Sequence, residues 1–448
     1  MGISGNSVVI LAAGIGSRLQ SNLPKVFHKI GGLALLDHVI KAAKGINPTE
    51  IVAVLNPKYN DADLKFSAAI KRANQDIPRG TADAVKCGLK LLSNDSSEWV
   101  YVLYGDIPLI SSETLQQWFL ITKKCAKTAI VILAMNSDED NDLGKLELAN
   151  ETGVVRGIVE ANDTLRAGMV SNLCNAGLLI KKSLLREFIG QLKPNPQTGE
   201  FYITDMVRLA CEAGYVCRYY EGDRKELSGV NTRAELAVLE RIFQDRERAR
   251  HLNNGVALIA PETVFFSHDT CIERDVTVHP YVVFGENVDI RSGAQVGSFC
   301  VIEGATVGDA KVGPFTRLRA GTDIRDDVKV GNFVEIKNSV IAENSRVNHL
   351  SYIGDASLGK GVNVGAGTIT CNYDGFKKHK TEIGNDVFIG SNTALVAPVK
   401  VQDHAMVGAG SVVVSDVASG ALAIARGSQK NIENGAINFR KIKKCVES

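Results

Sequence analysis

Apolar runs and amphipathic stretches alternate along residues 1–230: "SVVILAAG", "LLDHVIKAAKG", "EIVAVLN", "TADAVKCGLKLL", "WVYVLYGD", "ETLQQWFLITKKC" and "TAIVILAM". Short unbroken apolar runs predict strands buried on both faces, and the stretches between them predict covering helices. That alternation predicts an α/β domain on a parallel sheet, with ligands gathering at the carboxyl ends of its strands. Residues 231–253 then change character, placing Leu236, Leu239, Ile242 and Phe243 at helical spacing among dense charge. They predict one long linker helix, ended by Gly255.

Residues 254–448 keep a different time. Ile272, Val278, Phe284, Ile290, Val296 and Ile302 lie six apart, and after a shift so do Val312, Leu318, Ile324, Val330 and Ile336. Val347 and Ile353 follow, then Val364, and finally Ile383, Ile389, Leu395, Val401, Val407 and Val413. Such a hexapeptide repeat predicts a triangular prism: each short strand points one aliphatic side chain inward, three strands close a coil, and coils stack. Residues 272–419 would give roughly eight coils and a prism about 40 Å long. "CNYDGFKKHKT", residues 371–381, interrupts the rhythm and predicts a projecting loop with its lysines in solvent.

Composition narrows the class. A chain of 448 residues with 45% hydrophobic residues, 23% charged residues and a net charge of +1 is an ordinary globular protein with no call for a nucleic-acid partner. Nine cysteines without a C-x-x-C pair predict reduced thiols and a cytoplasmic location. The opening apolar run lacks a basic leader region, and no window is long enough for a membrane span.

Two stretches carry candidate chemistry. "LAAGIGSRL" places Gly14, Gly16 and Arg18 directly after the first strand, and Lys25 follows in "LPKV". Backbone amides and these cations suit a polyphosphate, although neither the dinucleotide fingerprint nor the P-loop pattern is matched. Asp106 in "YGDIPLI" ends an apolar strand, where a carboxylate can hold Mg²⁺. In the repeats, Arg319 and Lys337 are 18 residues apart and so occupy equivalent places on adjacent coils. His349, 12 residues further, sits two faces round as a candidate general base.

These motifs, with "GEFYITD", "GPFTRLRAGT", "VGNFVEIKNS" and "NVGAGTITCNYDGFKKHKT", resemble the bifunctional bacterial UDP-N-acetylglucosamine pyrophosphorylase/glucosamine-1-phosphate N-acetyltransferases over nearly the whole chain. The resemblance implies a Rossmann-like nucleotidyltransferase domain (1–230), the linker helix (231–253) and a left-handed parallel β-helix (254–448). It further implies that Gly14, Arg18, Lys25, Gln75, Gly80 and Thr81 meet UTP, and that Asp106 and Asn231 hold Mg²⁺. Tyr104, Gly144, Glu160 and Asn175 would line N-acetylglucosamine 1-phosphate. In the prism, Arg319, Lys337, Tyr352 and Asn363 would hold glucosamine 1-phosphate for His349. Ala366, Asn372, Tyr373, Ser391, Ala409 and Arg426 would contact acetyl-CoA. Family members are homotrimers that share acetyl-transfer sites and supply cell-wall and lipopolysaccharide precursors. Ile15 and Ser17 replace the usual Lys and Thr, and Ala82 and Asp83 replace the usual Gly and His, bringing Asp83 near the nucleotide pocket. The alternative is a monofunctional sugar-1-phosphate nucleotidylyltransferase whose prism only assembles subunits.

Overall fold

The computed structural model describes residues 5–59, 70–93, 97–137, 143–149, 153–160 and 170–446, with side chains given to residue 442 in the last helix. Two compact units divide between Arg246 and Glu247, inside the helix Arg233–Asn253. Leu239 and Phe243 of that helix are buried with Leu19, Ile30, Leu35, Leu109 and Val230, so its first half is part of the first unit's core.

The first unit is built on nine strands in the order Ile70–Asn74, Glu50–Leu55, Ser7–Ala12, Trp99–Tyr104, Leu173–Lys181, Thr128–Asn136, Val216–Glu221, Val154–Val159 and Lys145–Leu148. The first four run parallel. Leu173–Lys181 is antiparallel to both its neighbours, which corrects the expectation of a parallel sheet. A strand buried on both faces reads as the same apolar run in either direction, so the pattern could not reveal the reversal.

The second unit is a three-sided parallel β-helix whose faces carry ten, eight and eight strands. Every inward residue named from the six-residue rhythm is at most 9% exposed. Corners need left-handed backbone, which Asp275, Asn287, Asp327, Asn344 and Asp386 supply. One corner instead uses Tyr281, Phe299, Phe315 and Phe333, all with φ between 55° and 62°. Their rings stack at 5.0, 4.9 and 5.2 Å. Left-handed backbone costs roughly 1–2 kcal/mol; a middle ring gains two stacking contacts of about 0.5–1.5 kcal/mol each, which offsets it.

The broken rhythm resolves into a count. Thr370 takes the inward place after Val364 and is 1% exposed, so the coil continues through a polar residue that the hydrophobic pattern could not show. Partners across this coil are 25 residues apart (Leu358 and Ile383), against 17 for Ile341 and Leu358 and 18 for Ile383 and Val401. The chain therefore completes the coil and adds a loop, rather than giving up most of a coil to it.

At the start of the prism His251 is 0% exposed, stacked on Phe266 at 4.6 Å, and its Nε2 accepts from Arg250 at 3.0 Å. Burial first, and the Arg250 charge second, hold its pKa down to about 4. A histidine depressed in the folded state keeps its stability above the ordinary value of 6.5 and loses it as pH falls toward 4. We expect denaturant unfolding of His251→Phe to lose much of the pH dependence of the wild type between pH 6.5 and 4, a difference on the order of 2–3 kcal/mol at the acid end.

Candidate functional site

Four parallel strands bring the first cluster to one edge. The loop after Ser7–Ala12 carries Gly14, whose carbonyl accepts from Tyr59 Oη at 3.0 Å, and Arg18, which is exposed. Gly16 is left-handed (φ 73°), and a Cβ there would lie 2.5 Å from Lys25 Cβ, so only glycine lets Lys25 pass so close. Gly105 N–H donates to Leu11 O, and Val230 N–H donates to Asp106 O, drawing Asn231 to Asp106. The Lys25 ammonium bonds both side chains: Asp106 Oδ2, and Asn231 Oδ1 at 2.6 Å. Asp106 and Asn231 thus converge on one cation. Such a pair of oxygens fits Mg²⁺, which usually takes one or two protein oxygens and completes its shell with water and phosphate. Among the described residues no group of three or more His, Cys, Asp or Glu could hold a metal alone.

Gln75 ends the parallel run, its backbone N–H donating to Leu55 O. Its Nε2 donates to Gly80 O and to Asp83. Thr81 Oγ1 accepts from Ile203 N–H at 3.0 Å. The sugar candidates also meet: Asn175 Nδ2 donates to Tyr104 Oη at 3.0 Å, and Asn175 N–H donates to Gly144 O at 2.8 Å. A Cβ on Gly144 would lie 3.2 Å from Glu160 Oε2. Burial raises the Tyr104 hydroxyl, and the Glu160 charge adds to it. Burial also raises Glu160, against the hydrogen bond that its Oε1 accepts from Thr204 at 2.6 Å.

On the prism, register places Arg319 beside Lys337 and Lys337 beside Gly354. Arg319 pairs with Glu335 at 2.9 Å. Asn372 Nδ2 reaches Tyr352 Oη at 3.4 Å and Asp355 Oδ2 at 2.5 Å. His349 is exposed, and its Nδ1 meets Asn332 Oδ1 at 2.9 Å, one coil below. With Oδ1 accepting, Nδ1 carries the proton and Nε2 keeps its lone pair. Asn363 follows on the same face as His349, next to Arg346. Ala366, Ser391, Ala409 and Arg426 form a file along one corner. Asn392 N–H donates to Ala366 O, Gly410 N–H to Ser391 O, and Arg426 to Ala409 O at 2.6 Å. Asn372 and Tyr373 are not in this file; they belong to the edge that bears Lys337 and Tyr352.

Two neighbours escaped the sequence reading. Asn332 is visible only as a cross-coil partner of His349, 17 residues away. Lys378 is exposed, as are Lys377 and Lys380, in line with loop lysines in solvent, but it lies near Lys337, and the interaction with that like charge lowers its pKa. Asp374 turns the loop back by accepting from Phe376 and Lys377 N–H and from His379 Nε2. A cleft of about 410 Å³ lies under it, lined by Gly321, Asn338, Asp355, Lys378 and Lys380 among others. The basic tail forms the helix Gly435–Val446; Arg440 and Lys441 are exposed, and the side chains of Lys443 and Lys444 lie outside the described residues.

Comparison with known proteins covers both units. The chain is 43% identical over 438 residues to the "Bifunctional protein GlmU" of Paramagnetospirillum magneticum, covering 97% of this chain and 96% of that one. It is 44% identical over 428 residues to the protein of that name from Paracoccus denitrificans, covering 94% of each. This chain belongs to the GlmU family. The Wolbachia pipientis wMel GlmU is 42% identical over 427 residues, covering 95% of this chain and 97% of that one. Residues 8–141 match the MobA-like NTP transferase domain, and residues 380–415 match the bacterial transferase hexapeptide (six repeats). The prism of this GlmU family member is the left-handed form of the parallel β-helix.

Since Glu160 is raised in the folded protein, its contribution to stability is complete below the ordinary value of 4.5 and is lost as pH rises through the raised value. Calorimetry of Glu160→Gln should therefore show a first unit that melts higher than wild type at pH 8, with the gap closing as the pH approaches 4.5.

Proposed function

We propose that this chain makes UDP-N-acetylglucosamine in two transfers. The second unit acetylates the amine of glucosamine 1-phosphate with acetyl-CoA. The first unit then moves UMP from UTP to N-acetylglucosamine 1-phosphate and releases pyrophosphate. What carries this reading is full-length membership of a bifunctional family, with a cation-bearing cluster present on each unit.

In acetyl transfer, Arg319, Lys337 and Lys378 hold the sugar phosphate, and Tyr352 and Asn363 hold the sugar. His349 Nε2 takes the amine proton as nitrogen attacks the thioester carbon, and the C–S bond breaks to release CoA. Asn332 keeps the imidazole in the tautomer that can act as base. Acetyl-CoA runs along Ala366, Ser391, Ala409 and Arg426, with Asn372 and Tyr373 supplied by a neighbouring copy. Two separate edges of one prism carry these groups, which supports a homotrimer with shared sites.

In uridylyl transfer, Gly14, Arg18 and Lys25 meet the triphosphate, while Gln75, Gly80 and Thr81 meet the base. Tyr104, Gly144, Glu160 and Asn175 align the sugar, whose phosphate oxygen attacks the α-phosphorus. Asp106 and Asn231 would hold Mg²⁺, which neutralises charge between the phosphates. Lys25 uses those same two oxygens, so a metal held there would leave the ammonium free for the triphosphate. The eight cysteines whose side chains are described are all free, in keeping with a cytoplasmic protein, and no described helix is long and apolar enough to cross a membrane.

The test supplies glucosamine 1-phosphate, acetyl-CoA, UTP and Mg²⁺ together; UDP-N-acetylglucosamine, CoA and pyrophosphate should form. In His349→Ala, acetylation should fall about 10²- to 10⁴-fold while UMP transfer to N-acetylglucosamine 1-phosphate continues. Undiminished acetylation would remove His349 as base. A second expectation concerns Lys25→Met, read by Mn²⁺ titration without nucleotide. Removing the resident ammonium should tighten Mn²⁺ binding by about tenfold or more, and Asp106→Ala should abolish the gain.

A further inference from the structure

Asp83 stands in the first turn of the helix Thr81–Leu89, where a carboxylate is favoured by the helix dipole. Its Oδ2 accepts from Gln75 Nε2 at 3.0 Å, and Gly80 O accepts from the same nitrogen at 3.1 Å. Gln75 is 4% exposed and anchored through its backbone to Leu55. A carboxamide has a donor end and an acceptor end of nearly equal shape, and only its partners decide which way it faces. Here two acceptors take both N–H groups. Turning the amide over would set Oε1 against a carboxylate and a carbonyl.

Resting on the proposed placement of Gln75 against the base, we infer that Asp83 is a positioning residue for nucleotide selection. It holds Gln75 so that only an acceptor, Oε1, is offered to the nucleobase. Uracil presents a donor at N3–H, which satisfies that oxygen; cytosine presents a lone pair at N3, which opposes it. The Ala82–Asp83 pair that departs from the family's usual residues therefore fixes base choice by a different contact instead of weakening the pocket.

The test measures kcat/KM for UTP and for CTP with N-acetylglucosamine 1-phosphate in wild type, Asp83→Ala, Asp83→Asn and Gln75→Leu. A ratio within one preparation does not depend on the fraction folded. In Asp83→Ala the UTP-to-CTP ratio should fall about tenfold or more, with the loss on UTP appearing in KM rather than kcat. Asn, whose Oδ1 still accepts, should restore most of it. Gln75→Leu should collapse the ratio as well. If Gln75→Leu collapses it while Asp83→Ala leaves it intact, the role of Asp83 is overturned. If Gln75→Leu leaves it intact, the placement of Gln75 against the base is overturned.

Discussion

A strand that sends one side chain into a core cannot stand alone, and this constraint shapes the whole second unit. Strands such as Thr277–Val278 and Val283–Phe284 each bury one inward residue. Burying it contributes roughly 1.5–3 kcal/mol, less than ordering the six residues of a repeat at roughly 1–2 kcal/mol each. Stability comes only when coils stack and hydrogen-bond to those above and below. Stacking has a chemical consequence. Outward positions of successive coils fall into files, and a file can carry any residue without disturbing the core. Arg319 with Lys337, and Asn332 with His349, are such files.

That rule also sets what could be read from the chain. Inward positions repeat, so the prism and its core were legible residue by residue, and the place of His349, two faces on from Lys337, followed from counting. Contacts across coils leave no local pattern: Asn332 and His349 are ordinary residues until the register of 17 brings them together. Thr370 hid a complete repeat because a threonine can fill an inward place when its hydroxyl bonds the backbone, here accepting from Gly354 N–H at 2.8 Å. In the first unit the glycine-rich turn and Asp106 were legible from motifs. The antiparallel strand Leu173–Lys181 was not, because a doubly buried run carries no sign of direction.

The two clusters solve related problems by different means. Both proposed substrates carry phosphate, and both clusters gather cations before it arrives. In the first unit the cation is satisfied: Lys25 bonds Asp106 and Asn231, so charge is stored in a neutral arrangement that can be exchanged. On the prism the cations are set against one another, Lys378 beside Lys337, with Asp355 close by and held below its ordinary value. Burial opposes that lowering of Asp355, and hydrogen bonds from Asn338 and Asn372 outweigh it.

The loop that breaks the six-residue rhythm explains how such an arrangement persists. Like charges repel, and an unbraced loop would carry the exposed Lys378 away from Lys337. Asp374 prevents this by binding Phe376, Lys377 and His379, while His379 N–H donates to Asn372 O and closes the base of the loop. Asn372 in turn is fixed to Asp355 and Tyr352. The loop that bears Lys378 is therefore braced by its own hydrogen bonds, and in the proposed acetyl transfer a phosphate between Lys378 and Lys337 would relieve their repulsion. Preorganisation of this kind favours binding because the charges need not be gathered as the ligand enters. The added residues leave the coil intact and bring Lys378 near Lys337, a place that flat stacking alone could not fill.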